Sequence, residues 1–172
     1  MKQTDINILM KEDVWSLIGK EWMLITAGNI DSFNTMTASW GSIGWLWNKP
    51  VAFLFIRPER YTHGFVENND DLTLSFLPEQ YREALKVCGT LSGRDCNKVE
   101  KAGLTPLKLN SPSHVSFDES RLCLVCRKLF KVPMTEDSFI DKEVLARWYN
   151  SNPGGSLHDI YVVEILEAWN KE

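Results

Sequence analysis

Residues 51–56 read VAFLFI, an unbroken apolar run held between Pro50 and the pair Arg57-Pro58. A run bounded in this way predicts a strand buried on both faces. Moving outward, residues 34–40 read NTMTASW, mixing small polar and apolar side chains, and residues 22–27 read WMLITA, a β-rich run ended by Gly28 and Asn29. Residues 72–76, LTLSF, alternate cleanly, which predicts a strand with one face buried and the other half wet. RLCLVCRKLFKV at 121–132 predicts a long strand, and DIYVVEILEA at 159–168 predicts the last one.

Helical signals are fewer and shorter. In residues 78–88 the side chains Tyr81, Ala84, Leu85 and Cys88 recur at helical spacing, with Pro78 suited to the first turn and Gly89 placed as a C-cap. Short helices are predicted over 97–102, stopped by Gly103, and over 62–67, capped by Thr62. A further one runs from a cap at Asp141 to about Tyr149, and NSNPGGS at 150–156 then reads as a turn or surface loop. Many strands, a few short helices and no regular β-α alternation predict a mainly β fold, a β-barrel with helical excursions rather than a doubly wound sheet. No GxGxxG follows a strand, and no GxxxxGK[ST], HExxH or GxSxG occurs.

The chain has 172 residues, 44% of them hydrophobic and 24% charged, which predicts one soluble globular domain over 1–172. A net charge of -4 without a Lys/Arg run argues against nucleic acid as a partner. The first fifteen residues, MKQTDINILMKEDVW, carry a charge every few positions and lack the apolar core of a signal peptide. No stretch of apolar residues is long enough to span a bilayer, so no membrane association and a cytoplasmic location are expected. The four cysteines are then free thiols. Cys123 and Cys126, three apart in a strand, point to opposite faces and cannot share a metal or a disulfide. Cys88 belongs to the buried helix stripe, and Cys96 is the one thiol worth testing for reactivity. His63, His114 and His158 have no metal spacing, so no metal site is expected and no general base is nominated.

Three polar segments stand out from the strands. NTMTASWGSIG at 34–44 sets Thr35, Thr37, Ser39 and Ser42 among Ala38, Gly41 and Gly44, so a ligand can approach the backbone closely, with Trp40 beside it. RPERYT at 57–62 places Arg57 and Arg60 around a Pro-fixed turn before a helix N-terminus, a pattern that suits an anion. SGRDCNK at 92–98 repeats the idea with a hydroxyl, a glycine, a guanidinium and an ammonium. Each segment taken singly reads equally as an unliganded turn or helix cap.

In order and approximate spacing, NTMTASWG, the turn WNKP at 47–50, RPERYT, SGRDxxK, LVCRKL at 124–129 and HDIYVVEI at 158–165 together resemble the flavin reductase-like (flavoredoxin-like) family, over about residues 18–168. The resemblance implies a split β-barrel of Greek-key type and a homodimer with FMN near the subunit interface. It implies that Met36, Thr37, Ala38, Ser39 and Trp40 line the isoalloxazine ring through backbone amides and hydroxyls. Arg57, Tyr61 and Thr62 would hold the phosphate and ribityl end, and Ser92, Gly93, Arg94, Asp95 and Lys98 would complete that shell. His158 would lie near the ring or the substrate pocket. The implied activity moves electrons from NAD(P)H or a redox protein donor through FMN to flavin, ferric iron or another small acceptor. The alternatives are an FMN-carrying electron-transfer or sensor module without NAD(P)H activity, and a barrel dimer with an empty pocket. Two departures stand out: Cys96 and Asn97 occupy positions where the family often has aspartate, and GWLW is unusually rich in tryptophan. Trp45 and Trp47 either narrow the pocket or enlarge the dimer contact.

Overall fold

The computed structural model of the chain describes residues 1–150 and 155–171. Its strands are β1 (Lys2–Thr4), β2 (Met23–Asn29), β3 (Ser32–Ala38), β4 (Gly41–Leu46), β5 (Lys49–Ile56), β6 (Asp71–Phe76), β7 (Pro106–Lys108), β8 (Val115–Phe117), β9 (Leu122–Pro133) and β10 (Asp159–Asn170). The α-helices are α1 (Val14–Ser16), α2 (Tyr61–Asn68), α3 (Arg82–Thr90), α4 (Lys98–Lys101) and α5 (Lys142–Leu145). Wider π-turns extend α1 over Leu17–Glu21 and α5 over Ala146–Asn150.

The main sheet is antiparallel throughout, in the order β3-β2-β6-β9-β10-β5-β4, with β1 added alongside β10. The path from β5 to β6 passes over the two places later filled by β9 and β10, a Greek-key arrangement. The end strands β3 and β4 follow one another in the chain yet do not pair, so the barrel is split between them. Inside it Met23, Ile25, Leu54, Ile56, Leu72, Leu74, Phe76, Leu124, Tyr161 and Val163 form one core. A second cluster, including Leu24, Leu85, Cys88 and Phe117, seats α3 against the outside of β2.

The predicted strands and helices all appear, with informative differences. Phe53 and Phe55 on β5 are only half buried, because no layer covers that face there. LTLSF is buried on both faces, because the β7–β8 hairpin lies over β6. Thr73 Oγ1 donates to the Val115 carbonyl, and Ser75 Oγ pairs with Ser116 Oγ at 3.0 Å. Gly41 and Gly44 lie in β4, and the turn expected at WNKP is its hairpin to β5, centred on Trp47 and Asn48 with φ of 53° and 57°. Both central residues are left-handed, as a two-residue hairpin of this twist requires. Gly89 is no cap but an internal residue of α3, and a Cβ there would stand 3.3 Å from Thr37 Cβ. Thr62 sits inside α2, with Arg60 in the capping position. Asp141 caps α5 by accepting from the Glu143 amide at 2.9 Å. The predicted loop at 150–156 falls largely outside the described residues.

Cys88, Cys123 and Cys126 are buried free thiols and Cys96 is partly exposed. Cys126 joins the barrel core, whereas Cys123 accepts from Ser75 Oγ under the β7–β8 hairpin, so the two do face opposite ways.

Candidate functional site

A cleft of about 420 Å³ opens where the split edge of β3 meets the end of β5 and the start of β10. Met36, Thr37, Ala38, Ser39 and Trp40 line one side, and Arg57, Glu59, Arg60, Phe55 and His158 line the other. Among the described residues β3 pairs with β2 alone, so the outward N–H and C=O groups of this edge have no ladder partner. The Thr37 hydroxyl is already committed, donating to the Leu85 carbonyl of α3 at 2.5 Å.

The turn after β5 aims two guanidinium groups. The Arg60 amide donates to the Arg57 carbonyl at 3.0 Å, and the His63 amide to that of Arg60 at 2.9 Å, which folds the Pro58-containing segment onto α2. Arg60 spends one N–H on the Gly89 carbonyl at 2.7 Å, and among the described residues the polar contacts of Arg57 are a long bond to the Trp148 carbonyl at 3.4 Å and a loose pairing with Glu59 at 3.7 Å. A guanidinium has five N–H donors, so both retain capacity for an anion.

His158, 8% exposed, closes the cleft. Its Nδ1 lies 2.9 Å from the Tyr149 hydroxyl, and its ring contacts those of Trp40, Phe55 and Tyr149. Burial, reinforced by the positive charge of Arg57, pushes its pKa down to about 4, so the imidazole is neutral at pH 7. The unfolded chain takes up a proton near pH 6.5 that the folded chain refuses until about 4. Stability should therefore fall as pH drops through that window, by on the order of 2 kcal/mol from this group. Denaturant unfolding at pH 7 and pH 4, compared with the same pair for His158→Gln, checks this. An equal loss in both proteins would remove His158 as the cause.

The remaining predicted residues lie behind this cleft. Thr62, buried, accepts from Asn34 Nδ2 at 2.7 Å. The Tyr61 ring packs edge-on to Phe65 with the Arg94 guanidinium 5.0 Å from its centroid, and Arg94 Nη1 donates to the Glu59 carbonyl at 2.9 Å. Tyr61, Gly93 and Lys98 line a neighbouring cavity. Ser92 Oγ accepts from the Arg94 amide at 3.2 Å, Asp95 is exposed, and Asn97 caps α4. Lys98 is 4% exposed and donates to the Cys88 and Leu91 carbonyls at 3.1 and 3.3 Å, closing the end of α3. Burial brings its pKa down to about 8. Lys98→Met should thus destabilise the fold by about 1–3 kcal/mol by orphaning those carbonyls, with little effect on anion uptake in the cleft. Thermal unfolding beside a ligand titration separates the two, and a selective loss of ligand would reverse the assignment.

Phe55 and Glu59 complete the cleft without having been singled out, and Arg60 joins it from the anion-suited turn although the family resemblance assigned it no role. Arg60 was visible as the second arginine of RPERYT. Phe55 lay hidden in an apolar run, where only its half-exposure betrays it. Trp148 and Tyr149 carried no sequence signal, since their helix read as an ordinary one. Trp45 and Trp47 do not line the cleft; they stand 69% and 56% exposed on the β4–β5 hairpin. Among the described residues no His/Cys/Asp/Glu group could hold a metal, and no helix is long and apolar enough to cross a membrane.

Known structures place this architecture. Flavoredoxin from Methanosarcina acetivorans superposes with a TM-score of 0.68 at 18% identity, over 88% of this chain and 69% of that one. The FMN-binding domain of a flavin reductases-like enzyme from Shewanella baltica OS155 matches with a TM-score of 0.68 at 14% identity, over 98% and 75%. Nitrilotriacetate monooxygenase component B from Bacillus cereus gives 0.68 at 16% identity, over 98% and 78%. The fold is thus the split barrel of flavin reductase-like proteins. The family model "Flavin reductase like domain" matches residues 15–172, and the chain belongs to that family. No curated protein sequence matches it.

Proposed function

We propose that the chain binds FMN in the cleft between β3, β5 and β10 and acts as an oxidoreductase of the flavin reductase type, passing electrons from NAD(P)H or a protein donor to flavin, ferric iron or another small acceptor. The observation that carries this reading is one cleft with two unlike ends: Arg57 and Arg60 at one, and the unpaired edge of β3 at the other. FMN has the same duality, a phosphate dianion and a flat amphipathic ring. When bound it supplies the electron-carrying chemistry itself.

The chain supplies binding and tuning. Arg57 and Arg60 hold the phosphate with their uncommitted N–H groups, and Glu59, in the same cleft, offers acceptors to ribityl hydroxyls. The free backbone groups of residues 36–40 meet the polar edge of the ring, and Trp40 screens it from water. His158 stays neutral beside them and adds no further positive charge to those of Arg57 and Arg60. A homodimer fits the same reading. Trp45, Trp47 and Phe130 (46% exposed) form an aromatic face, with the Trp47 and Phe130 rings 6.1 Å apart, of the kind that a second copy covers. Sedimentation should give a dimer.

Purified protein is expected to be yellow or to take up one FMN per chain, and NADH or NADPH without oxygen should bleach the loaded protein within minutes. A colourless preparation that refuses FMN overturns the flavin reading. Loaded protein that stays yellow with both nicotinamides is an electron carrier instead.

A further inference from the structure

A polar cluster lies at the base of the arginine turn, and none of its side chains lines the cleft. His63 and Glu67 stand one helical turn apart on α2, and so share a face. Asp159 and Tyr161 alternate along β10 and share one too. The two faces meet. His63 Nε2 lies 2.8 Å from Asp159 Oδ2 and 3.1 Å from the Tyr161 hydroxyl, which itself donates to Glu67 Oε1 at 2.6 Å. Lys131, opposite Tyr161 in the β9–β10 ladder, joins both carboxylates, at 2.8 Å to Glu67 and 2.9 Å to Asp159. Asp159 is buried. Burial opposes its charge, but hydrogen bonds from His63 and Lys131 outweigh that and hold its carboxyl below the usual range. An ionised carboxylate only accepts, so His63 Nε2 carries a hydrogen and donates it.

The place of this bond in the chain gives it a consequence for the cleft. Asp159 pairs with Ile56 across the β5–β10 ladder, and Arg57 follows Ile56 directly. The backbone therefore leaves β5 at Ile56, passes Arg57, Glu59 and Arg60, enters α2, and is tied back at His63 to the residue that faces Ile56. The arginine turn is a loop closed at its base. Asp159 also follows His158, so the same bond holds the turn against the wall that His158 forms. A loop fixed before the ligand arrives loses less freedom on binding than one that must be ordered by it.

We propose that His63 and Asp159 are positioning residues for the phosphate of FMN: their bond fixes where α2 starts, and so holds Arg57 and Arg60 together as one anion site. This deepens the flavin reading and rests on it. The ring end of the cleft is built from the opposite wall, residues 36–40 of β3 and the segment after it, which the bond does not touch. Releasing the turn should thus cost the phosphate its grip and leave the ring contacts in place. The affinity of FMN relative to riboflavin, which has the same ring and no phosphate, isolates that cost.

The test titrates the full chain with FMN, riboflavin and inorganic pyrophosphate, a probe of the arginine pair that needs no ring. His63→Leu should weaken FMN by about tenfold or more, the worth of part of a charge-assisted contact, and riboflavin by less than about twofold. Pyrophosphate should weaken in parallel with FMN. His63→Gln, whose amide nitrogen can donate to Asp159 in place of Nε2, should restore most of the FMN-to-riboflavin ratio. Asp159→Asn exchanges the charged acceptor for a neutral one, and should lower that ratio in the same direction but by less; it carries the test if His63→Leu does not fold. Equal losses of FMN and riboflavin would make the bond merely structural and overturn the proposal, as would an unchanged ratio. A chain that refuses both flavins yet binds pyrophosphate with the same dependence on His63 sinks only the flavin reading. FMN uptake indifferent to His63→Leu sinks only this one, and a native chain that binds neither FMN nor pyrophosphate sinks both.

Discussion

Arg57→Ala should weaken FMN binding by about 10- to 150-fold, the equivalent of about 1.5–3 kcal/mol for a charge-assisted hydrogen bond to phosphate. The estimate follows from how little else Arg57 does. Its bond to the Trp148 carbonyl is long, its pairing with Glu59 is loose, and its guanidinium lies 5.3 Å from the centroid of the Tyr149 ring. Truncation should therefore cost the fold little and the anion much. Arg57→Lys should recover only part of the affinity, since an ammonium keeps the charge but not the planar fork. Fluorescence titration of FMN against the two variants reads this directly. An unchanged dissociation constant for Arg57→Ala would move the phosphate away from this turn, and Arg60→Ala would then be the next variant to titrate.

How far this site could be read from the chain depends on which physics each residue obeys. The strands announced themselves because apolar runs bounded by Gly and Pro have few other uses, and the barrel followed from their number and the lack of alternating helices. β4 escaped because Gly41, Gly44 and two exposed tryptophans imitate a turn; its pairing with β5 is a tertiary fact. The burial of LTLSF on both faces escaped for the same reason, since the β7–β8 hairpin that covers it arrives about forty residues later. Within the site, residues 36–40 and Arg57 were readable from local chemistry plus family resemblance. SGRDxxK was readable as a motif, yet its lysine turns inward to close α3 and its glycine packs against Asn34, roles that no local pattern distinguishes from contact with a phosphate. The aromatic cluster around His158 was not readable at all, since it joins Trp40 after β3, Phe55 on β5 and Tyr149 of the α5 segment, and only the folded chain brings those together.

Gly93 turns that distinction into a second large effect. A Cβ on Gly93 would stand 2.2 Å from Asn34 Oδ1 and 2.9 Å from Tyr61 Cδ1. Asn34 cannot simply yield: it is 5% exposed, and its amide is pinned to Thr62 Oγ1 at 2.7 Å and to the Thr35 carbonyl at 3.4 Å. Gly93→Ala must therefore break the Asn34–Thr62 bond between β3 and α2 or push the 92–97 loop outward. Overpacking at such a point costs about 1–3 kcal/mol, and an orphaned buried amide adds a similar amount, so a loss of about 2–4 kcal/mol is expected in denaturant unfolding. The cause is testable by a double-mutant cycle. Asn34→Ala removes the obstructing amide at the cost of its own hydrogen bonds, so Gly93→Ala introduced into that background should be much less damaging than in the native chain. FMN affinity should follow the same pattern, because α2 begins at the turn that carries Arg57 and Arg60. Additive losses in the cycle would mean that Gly93 is needed for its backbone or for a ligand's close approach, and not for the space it leaves to Asn34.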